Sequence, residues 1–190
     1  METTFLRELN HKISKYSTRY IFSLLITRGQ KNCTSMSREL GIKPKTQYRF
    51  LENGYSEAER LSDLLIKNAL KAIQSDGPWF FVTDDTLVVK KYARQIEKLG
   101  YSWGGSSEKC ANGISIVVVG ITNGKGTLPV AFEYWDKSKK GTPAYKKKTE
   151  IAIELVKKLE AKIPIKYHLM DGAYCSQKTM DQIDRTLINS

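Results

Sequence analysis

The run Ile114-Ser115-Ile116-Val117-Val118-Val119-Gly120-Ile121 restricts the fold more than any other segment. β-Branched side chains are stiff at χ1 and pack well on a pleated surface, so a run of this kind favours a strand over a helix. Its near-continuous hydrophobicity predicts a central strand covered on both faces. Asn123-Gly124-Lys125-Gly126 comes next, a hairpin signal because these residues tolerate the positive φ of a tight turn. Leu128 to Trp135 is then the returning antiparallel strand. Trp79 to Val82 and Ile165 to Met170 are two further apolar runs expected to be strands. Thr142 and Pro143 offer a cap and a first-turn proline for a helix carrying Ile151, Leu155 and Leu159 at four-residue spacing. A last helix is expected from about Ser176, with Met180, Ile183 and Leu187. The polar, basic stretch 86–113 reads as a long excursion, with Gly104-Gly105-Ser106-Ser107 as its flexible part.

The first part of the chain carries a different period. Phe5, Leu9, Ile13, Tyr16 and Tyr20 recur every three or four residues, which predicts a helical stretch over 3–28. Ile21, Phe22, Leu24, Leu25 and Ile26 are expected to be buried. The segment from Ser35 to Leu51 resembles a helix-turn-helix: a short helix, Gly41 for a left-handed turn, then a basic second helix. Leu40, Ile42, Phe50 and Leu51 would pack the two helices, leaving Lys43, Lys45, Thr46, Gln47 and Arg49 to face a groove of DNA. Gln47 stands where many such motifs place a buried aliphatic residue. Ser56 and Glu59 resemble a capping box for a helix through Leu61, Leu64, Leu65, Leu70 and Ile73. Asp76-Gly77-Pro78 is a breaker cluster. We therefore expect an all-α helix-turn-helix domain over 1–75 and a mixed domain over 76–190.

Charge narrows the partners. Lys and Arg number 31 against 20 Asp and Glu, for a net +11, so the expected partner is a polyanion. The excess is shared: residues 1–75 hold 13 bases and 7 acids, and residues 76–190 hold 18 and 13. Six of those bases are lysines within Lys137–Lys148. Of these, Lys139, Lys140, Lys146, Lys147 and Lys148 are candidates for phosphate contact, which gives affinity without reading sequence. No long uncharged apolar stretch is present to span a bilayer, and the first residues lack a signal-peptide layout. A soluble, intracellular protein is expected. Cys33, Cys110 and Cys175 form no Cys-x-x-Cys pair, and His11 and His168 are far apart. Neither a disulfide framework nor a structural zinc site is indicated. The cysteines are expected to be ordinary buried or half-buried thiols.

Two carboxylates stand out against the basic background. Asp84 ends the apolar run Trp79-Phe80-Phe81-Val82-Thr83, and Asp171 ends the run Ile165 to Met170. Hard cations such as Mg²⁺ take a few carboxylate oxygens and complete their shell with water and phosphate oxygens. Two such ions can clamp the attacking and leaving oxygens of a phosphodiester. The expected order β-β-β-α-β-α, an antiparallel hairpin followed by a parallel crossover, is how a ribonuclease H-like fold begins, which places the chain in an α+β/α/β class.

These residues resemble a known family. Val82-Thr83-Asp84-Asp85-Thr86 is similar to the Asp-x-Thr segment of DDE-type insertion-sequence transposases, and Asp171-Gly172-Ala173-Tyr174 to their second motif, Asp-x-(Gly/Ala)-(Tyr/Phe). Lys90, the hairpin and Leu128-Pro129 also resemble the group whose third motif is Tyr-x-x-Arg-x-x-x-Glu-x-x-x-x-x-x-Lys. The resemblance implies catalytic, metal-binding roles for Asp84 and Asp171, with Asp85 as the alternative to Asp84. It further implies Mg²⁺ or Mn²⁺ as cofactor, and cleavage and strand transfer on double-stranded DNA at element ends and target. A cytoplasmic, nucleoid-associated prokaryotic protein follows from it. The third carboxylate of that signature is absent from this chain, and Glu150 and Glu154 are remote substitutes for it. A truncated copy, with an unpaired edge beside the strand of Asp171 and a tendency to form homo-oligomers, is the corresponding expectation. A catalytically inactive DNA-binding remnant and a ribonuclease H-like nuclease are the alternatives.

Overall fold

The computed structural model describes residues 14–53, 58–73, 78–104, 109–165 and 167–188. Among them are six α-helices and five strands: α1 Lys15–Ile26, α2 Cys33–Glu39, α3 Pro44–Asn53, α4 Ala58–Ile73, β1 Phe80–Val89, β2 Gly100–Gly104, β3 Lys109–Thr122, β4 Thr127–Trp135, α5 Lys148–Glu160, β5 His168–Met170 and α6 Gln177–Ile188. The chain forms two compact units that divide between Leu65 and Ile66. The division falls inside α4 because Ile66 and Ala69 of its second half belong to the core of the sheet-containing unit.

In the first unit, Asn32 caps α2 by accepting the Ser35 backbone N–H at 2.8 Å. The helix ends in a Schellman turn: the Ile42 N–H reaches Ser37 O at 2.9 Å and the Gly41 N–H reaches Arg38 O at 3.2 Å. Gly41 takes φ +62° there, which glycine adopts without a Cβ penalty. Pro44 then opens α3, where its missing N–H costs no helical bond.

The interior of this unit differs from expectation. Ser17, Thr18, Ser23, Thr27, Ser37 and Gln47 are buried, whereas Leu25, Leu51 and Tyr16 are more than half exposed, and Phe22 and Ile26 are also exposed. Local bonds satisfy part of this polar interior, while the Thr27 and Ser37 hydroxyls find no partner among the described residues. The Thr18 hydroxyl donates to Ser14 O at 3.2 Å and the Ser23 hydroxyl to Tyr20 O at 2.6 Å. Gln47 donates to the Ser23 oxygen at 3.2 Å, so it holds α3 to α1 and does not face outward with its basic neighbours. Phe5, Leu9, Ile13 and Ser56 lie outside the described residues.

The second unit is built on β3. Its last ten residues pair antiparallel with β1, from Phe80↔Thr122 to Val89↔Gly113. Along its other side it pairs antiparallel with β4 and, nearer its start, with β2. β1 pairs in parallel with β5, which forms one edge of the described sheet. Asn123 makes the β3–β4 turn as expected, its side-chain oxygen accepting from the Lys125 N–H at 3.0 Å, with Gly124 at φ +81°.

Three expectations are corrected. The order is β-β-β-β-α-β-α, because β2 lies inside the stretch read as an excursion. β1 and β3 are longer than their apolar runs, since ladder hydrogen bonds do not require apolar side chains. The helix before β5 starts at Lys148 rather than near Thr142, whose hydroxyl instead donates to Lys139 O at 2.8 Å in the preceding turn.

One face of the sheet carries the core. Phe81, Val117, Val119 and Ile121 are fully buried beneath Ile151, Ala152, Leu155, Val156 and Leu159 of α5. That helical spacing makes a continuous apolar stripe, and each of its Ile, Leu and Val side chains contributes on the order of 1.5–3 kcal/mol by burial. The other face is open: Ile114, Ile116 and Val118 are only half-buried. β3 is therefore covered on one side, not two.

Gly113 faces the ladder end so closely that an added Cβ would meet Val88 O at 2.6 Å and Leu87 Cδ1 at 2.8 Å. Gly113→Ala should cost about 1–3 kcal/mol in chemical denaturation. Gly126→Ala, with nothing within 4 Å, should stay within about 0.5 kcal/mol of the parent.

Candidate active site

The parallel register of β1 with β5 runs Phe81↔His168, Val82↔Leu169, Thr83↔Met170. The next positions along the two strands are Asp84 and Asp171, and neighbouring strands lie about 4.8 Å apart. Two residues 87 apart in sequence thus stand side by side at the end of one ladder. Asp171 sits just beyond β5, but Asp84 lies within β1, five residues before its end. A position flanked by paired strands fixes a carboxylate better than a free strand tip would.

Strand alternation sends Asp84 and Asp85 to opposite faces. Asp85 shares the covered face with Phe81 and Thr83, and Asp84 shares the open one with Val82 and is exposed. Asp85 is bound on both oxygens: Tyr174 Oη donates to Oδ1 at 2.9 Å, and Lys148 Nζ pairs with Oδ2 at 2.5 Å. Lys148 also lies 4.9 Å from the centre of the Trp135 ring. The Asp84 side chain accepts only the Asp85 backbone N–H, at 2.8 Å, among the bonds seen.

Tyr174 ties the two motifs together. Its N–H donates to Asp171 O at 2.8 Å, closing the turn after β5, and its ring is 2 % exposed. Burial, then the Asp85 hydrogen bond, then the charges of Asp85, Asp84 and Asp171 hold its hydroxyl far above the ordinary tyrosine range. The hydroxyl is thus a fixed donor, and all three acids lie within its electrostatic reach. The turn continues into α6, where the Ser176 hydroxyl oxygen accepts the Thr179 N–H at 3.2 Å as a cap.

The remaining acids have other partners. Glu150 accepts the Lys147 N–H at 2.8 Å at the start of α5, where a negative charge also suits the helix dipole. Glu154 pairs with Lys146 at 2.7 Å, which raises the lysine's pKa. Asp181 accepts from Gln177 at 2.8 Å. His168 stacks on Phe81 with ring centres 5.1 Å apart and meets Glu160 at 2.8 Å. Cys33 is buried, but Cys110 and Cys175 are exposed rather than half-buried. No group of three His, Cys, Asp or Glu is gathered closely enough among the described residues to hold an ion.

The predicted phosphate contacts separate into two classes. Lys140 and Lys147 are exposed, and Lys139 is exposed beside Asp136 at 3.7 Å. Lys146 and Lys148 are engaged with Glu154 and Asp85. In the helical unit Lys43, Lys45 and Arg49 are exposed, Thr46 is half-buried and Gln47 is buried. Tyr174 stands within the Asp171-Gly172-Ala173-Tyr174 motif, but residue type alone assigns it no role. Its burial and its bond to Asp85, 89 residues away, are set by the tertiary fold and carry no local sequence signal.

With that geometry in place, the comparison with known families is decisive. The chain matches the family described as DDE superfamily endonuclease over residues 4–187. It belongs to that family. The match runs through both units, the helical one included. No curated protein and no solved structure matches the chain. No helix among the described residues is long and apolar enough to cross a membrane.

Tyr174→Phe removes a bond to a charged acceptor but leaves Asp85 with Lys148, so it should cost about 1–2 kcal/mol at neutral pH. The sign with pH follows from the raised tyrosine: its contribution is complete below about pH 10, the unfolded value, and is lost as pH rises through the higher folded value. Thermal melts should show a steeper alkaline loss in the parent endonuclease than in Tyr174→Phe.

Proposed function

We propose that this DDE superfamily endonuclease is a transposase: it cleaves a phosphodiester at an element end with divalent-metal assistance and transfers the freed strand to target DNA. The observation that carries the reading is the side-by-side placement of Asp84 and Asp171 by the β1–β5 register. The donors are hard carboxylate oxygens, the type Mg²⁺ and Mn²⁺ take. Mg²⁺ sites commonly use one or two protein carboxylates and leave the rest to water and substrate phosphate. Asp84 and Asp171 would hold the ion, which when bound would polarise the phosphodiester and lower the pKa of the attacking water.

The chain's own side chains set the stage for that chemistry. Tyr174 and Lys148 commit Asp85 to the covered face, which fastens the Asp171 turn to β1 and leaves Asp84 as the acid open to substrate. Lys139, Lys140 and Lys147 supply positive charge for a phosphate backbone. In the helical unit, the α2–Gly41–α3 arrangement supports a helix-turn-helix, with Lys43, Lys45, Thr46 and Arg49 on the DNA side and Gln47 as an internal brace. The sheet order, with its parallel crossover into β5, supports a ribonuclease H-like reading of the second unit.

A binding-only protein is the second reading, favoured by the lack of a three-acid cluster among the described residues. Nicking of supercoiled DNA in Mg²⁺ or Mn²⁺ separates the two. Asp84→Asn and Asp171→Asn should each lower the rate beyond the roughly 10–100-fold that loss of an outer-shell partner costs. Asp85→Asn should retain a measurable share. Equal loss from Asp85→Asn alone would make Asp85 the ligand, and metal-independent or absent nicking would leave the binding-only reading.

DNA binding by the helical unit has its own test. Lys43→Ala and Lys45→Ala should each weaken duplex binding at all sequences and reduce the salt slope by about one. Gln47→Leu should leave that slope unchanged.

A further inference from the structure

The open face of the sheet bears an aromatic array that the cleavage site does not use. Tyr101 and Trp103 of β2 are paired with Asn112 and Cys110 of β3, and Phe132 and Tyr134 of β4 with Val118 and Ile116. Residues 110, 112, 116 and 118 alternate along one strand, so all four rings emerge on the same face. They are exposed by 61, 57, 59 and 37 % respectively. Alternate residues of a strand lie about 6.8 Å apart, so each strand presents a two-step ladder of rings. Phe132 and Tyr134 meet edge to face with centres 5.8 Å apart.

Cations are interleaved with these rings. Lys98 Nζ lies 4.5 Å from the Tyr134 ring centre, and its backbone has φ 61°, a conformation that side-chain-bearing residues rarely adopt. Lys137 Nζ donates to Tyr101 O at 2.9 Å.

We propose that this face is a stacking platform for single-stranded DNA. Exposed aromatic rings on a sheet offer π surfaces to unpaired bases, and lysines between them meet the phosphates. Duplex DNA hides its base faces and cannot use such rings. Protein interfaces share the aromatic enrichment but are depleted of lysine, so the lysines beside the rings favour nucleic acid over a protein partner. The platform also adjoins the candidate site: Asp84 is paired with Val118, and Val118 with Phe132, so the acid and the first ring are two strand spacings apart, about 10 Å. A DNA end with a few unpaired nucleotides is therefore the substrate form this surface suits. The proposal rests on the reading that the protein acts on DNA, but not on cleavage.

The test is fluorescence anisotropy of a labelled oligothymidylate with the full chain in EDTA, with a matched duplex measured in parallel. Trp103→Ala and Phe132→Ala should each weaken oligothymidylate binding about 5- to 100-fold and leave duplex binding unchanged. Trp103→Phe should restore most of the affinity. Both side chains are exposed, and unchanged melting temperatures would exclude unfolding as the cause. Oligothymidylate affinity unaffected by either alanine overturns the platform while leaving the DNA reading intact. Absence of binding to both DNAs overturns the two together. Sedimentation showing a dimer that the alanine variants dissolve would instead make this face a contact between copies of the chain.

Discussion

The ten-residue antiparallel pairing of β1 with β3 is the constraint on which the second unit depends. Side chains alternate with period two, so a slip of one residue would exchange the two faces of either strand. It would turn Phe81 out of the core and carry Asp85 away from Tyr174 and Lys148. The core face itself resists the slip, because Phe81, Val117, Val119 and Ile121 are all fully buried beneath α5. Gly113 adds a steric limit at the far end, where its α-carbon leaves no room for a side chain beside Val88. Hydrophobic burial thereby fixes the position of two acids that contribute nothing to it.

The same register explains which features were legible in the sequence. Apolar runs announced β1, β3, β4 and β5, and the Asn-Gly turn announced the hairpin, because burial and turn conformation are written in residue type. β2 escapes such a reading because Gly100-Tyr-Ser-Trp-Gly104 carries no apolar run and is held by its ladder to β3 and by Lys137 on the Tyr101 carbonyl. The open face of β3 was misread because hydrophobicity cannot distinguish a face covered by helix from one that carries exposed rings. Asp84 and Asp171 stand out as candidates by residue type and by resemblance. Their adjacency needed the parallel pairing, and the Tyr174–Asp85 bond, across 89 residues, has no local signature.

The helical unit failed the sequence reading in a different way. Periodicity there assigned the apolar side chains of α1 inward, yet Ser17, Thr18 and Ser23 occupy the interior. A small hydroxyl can return its hydrogen bond to the preceding turn, so burying it costs little. Gln47 completes the arrangement by donating to Ser23 across the unit. A position that looked like part of a reading surface is instead a polar brace, and the basic residues around it keep the outward face.

Charge and the sheet's two sides together define how the protein can meet DNA. A net +11 chain attracts a polyanion to every surface, so bulk charge alone selects no site. Selection comes from where the charge is cancelled. Lys148 is spent on Asp85 and Lys146 on Glu154, which pairs off one acid beside α5 and one on it. Asp84 has no cationic side chain bonded to it among the bonds seen, and it stands on the open face in line with Phe132. On that face a phosphate would be repelled by Asp84 unless a divalent ion lay between them. Unpaired bases stacked on the rings would hold the strand near the carboxylates until that ion is in place. One face of the sheet therefore builds the fold, and the proposed substrate would meet the other.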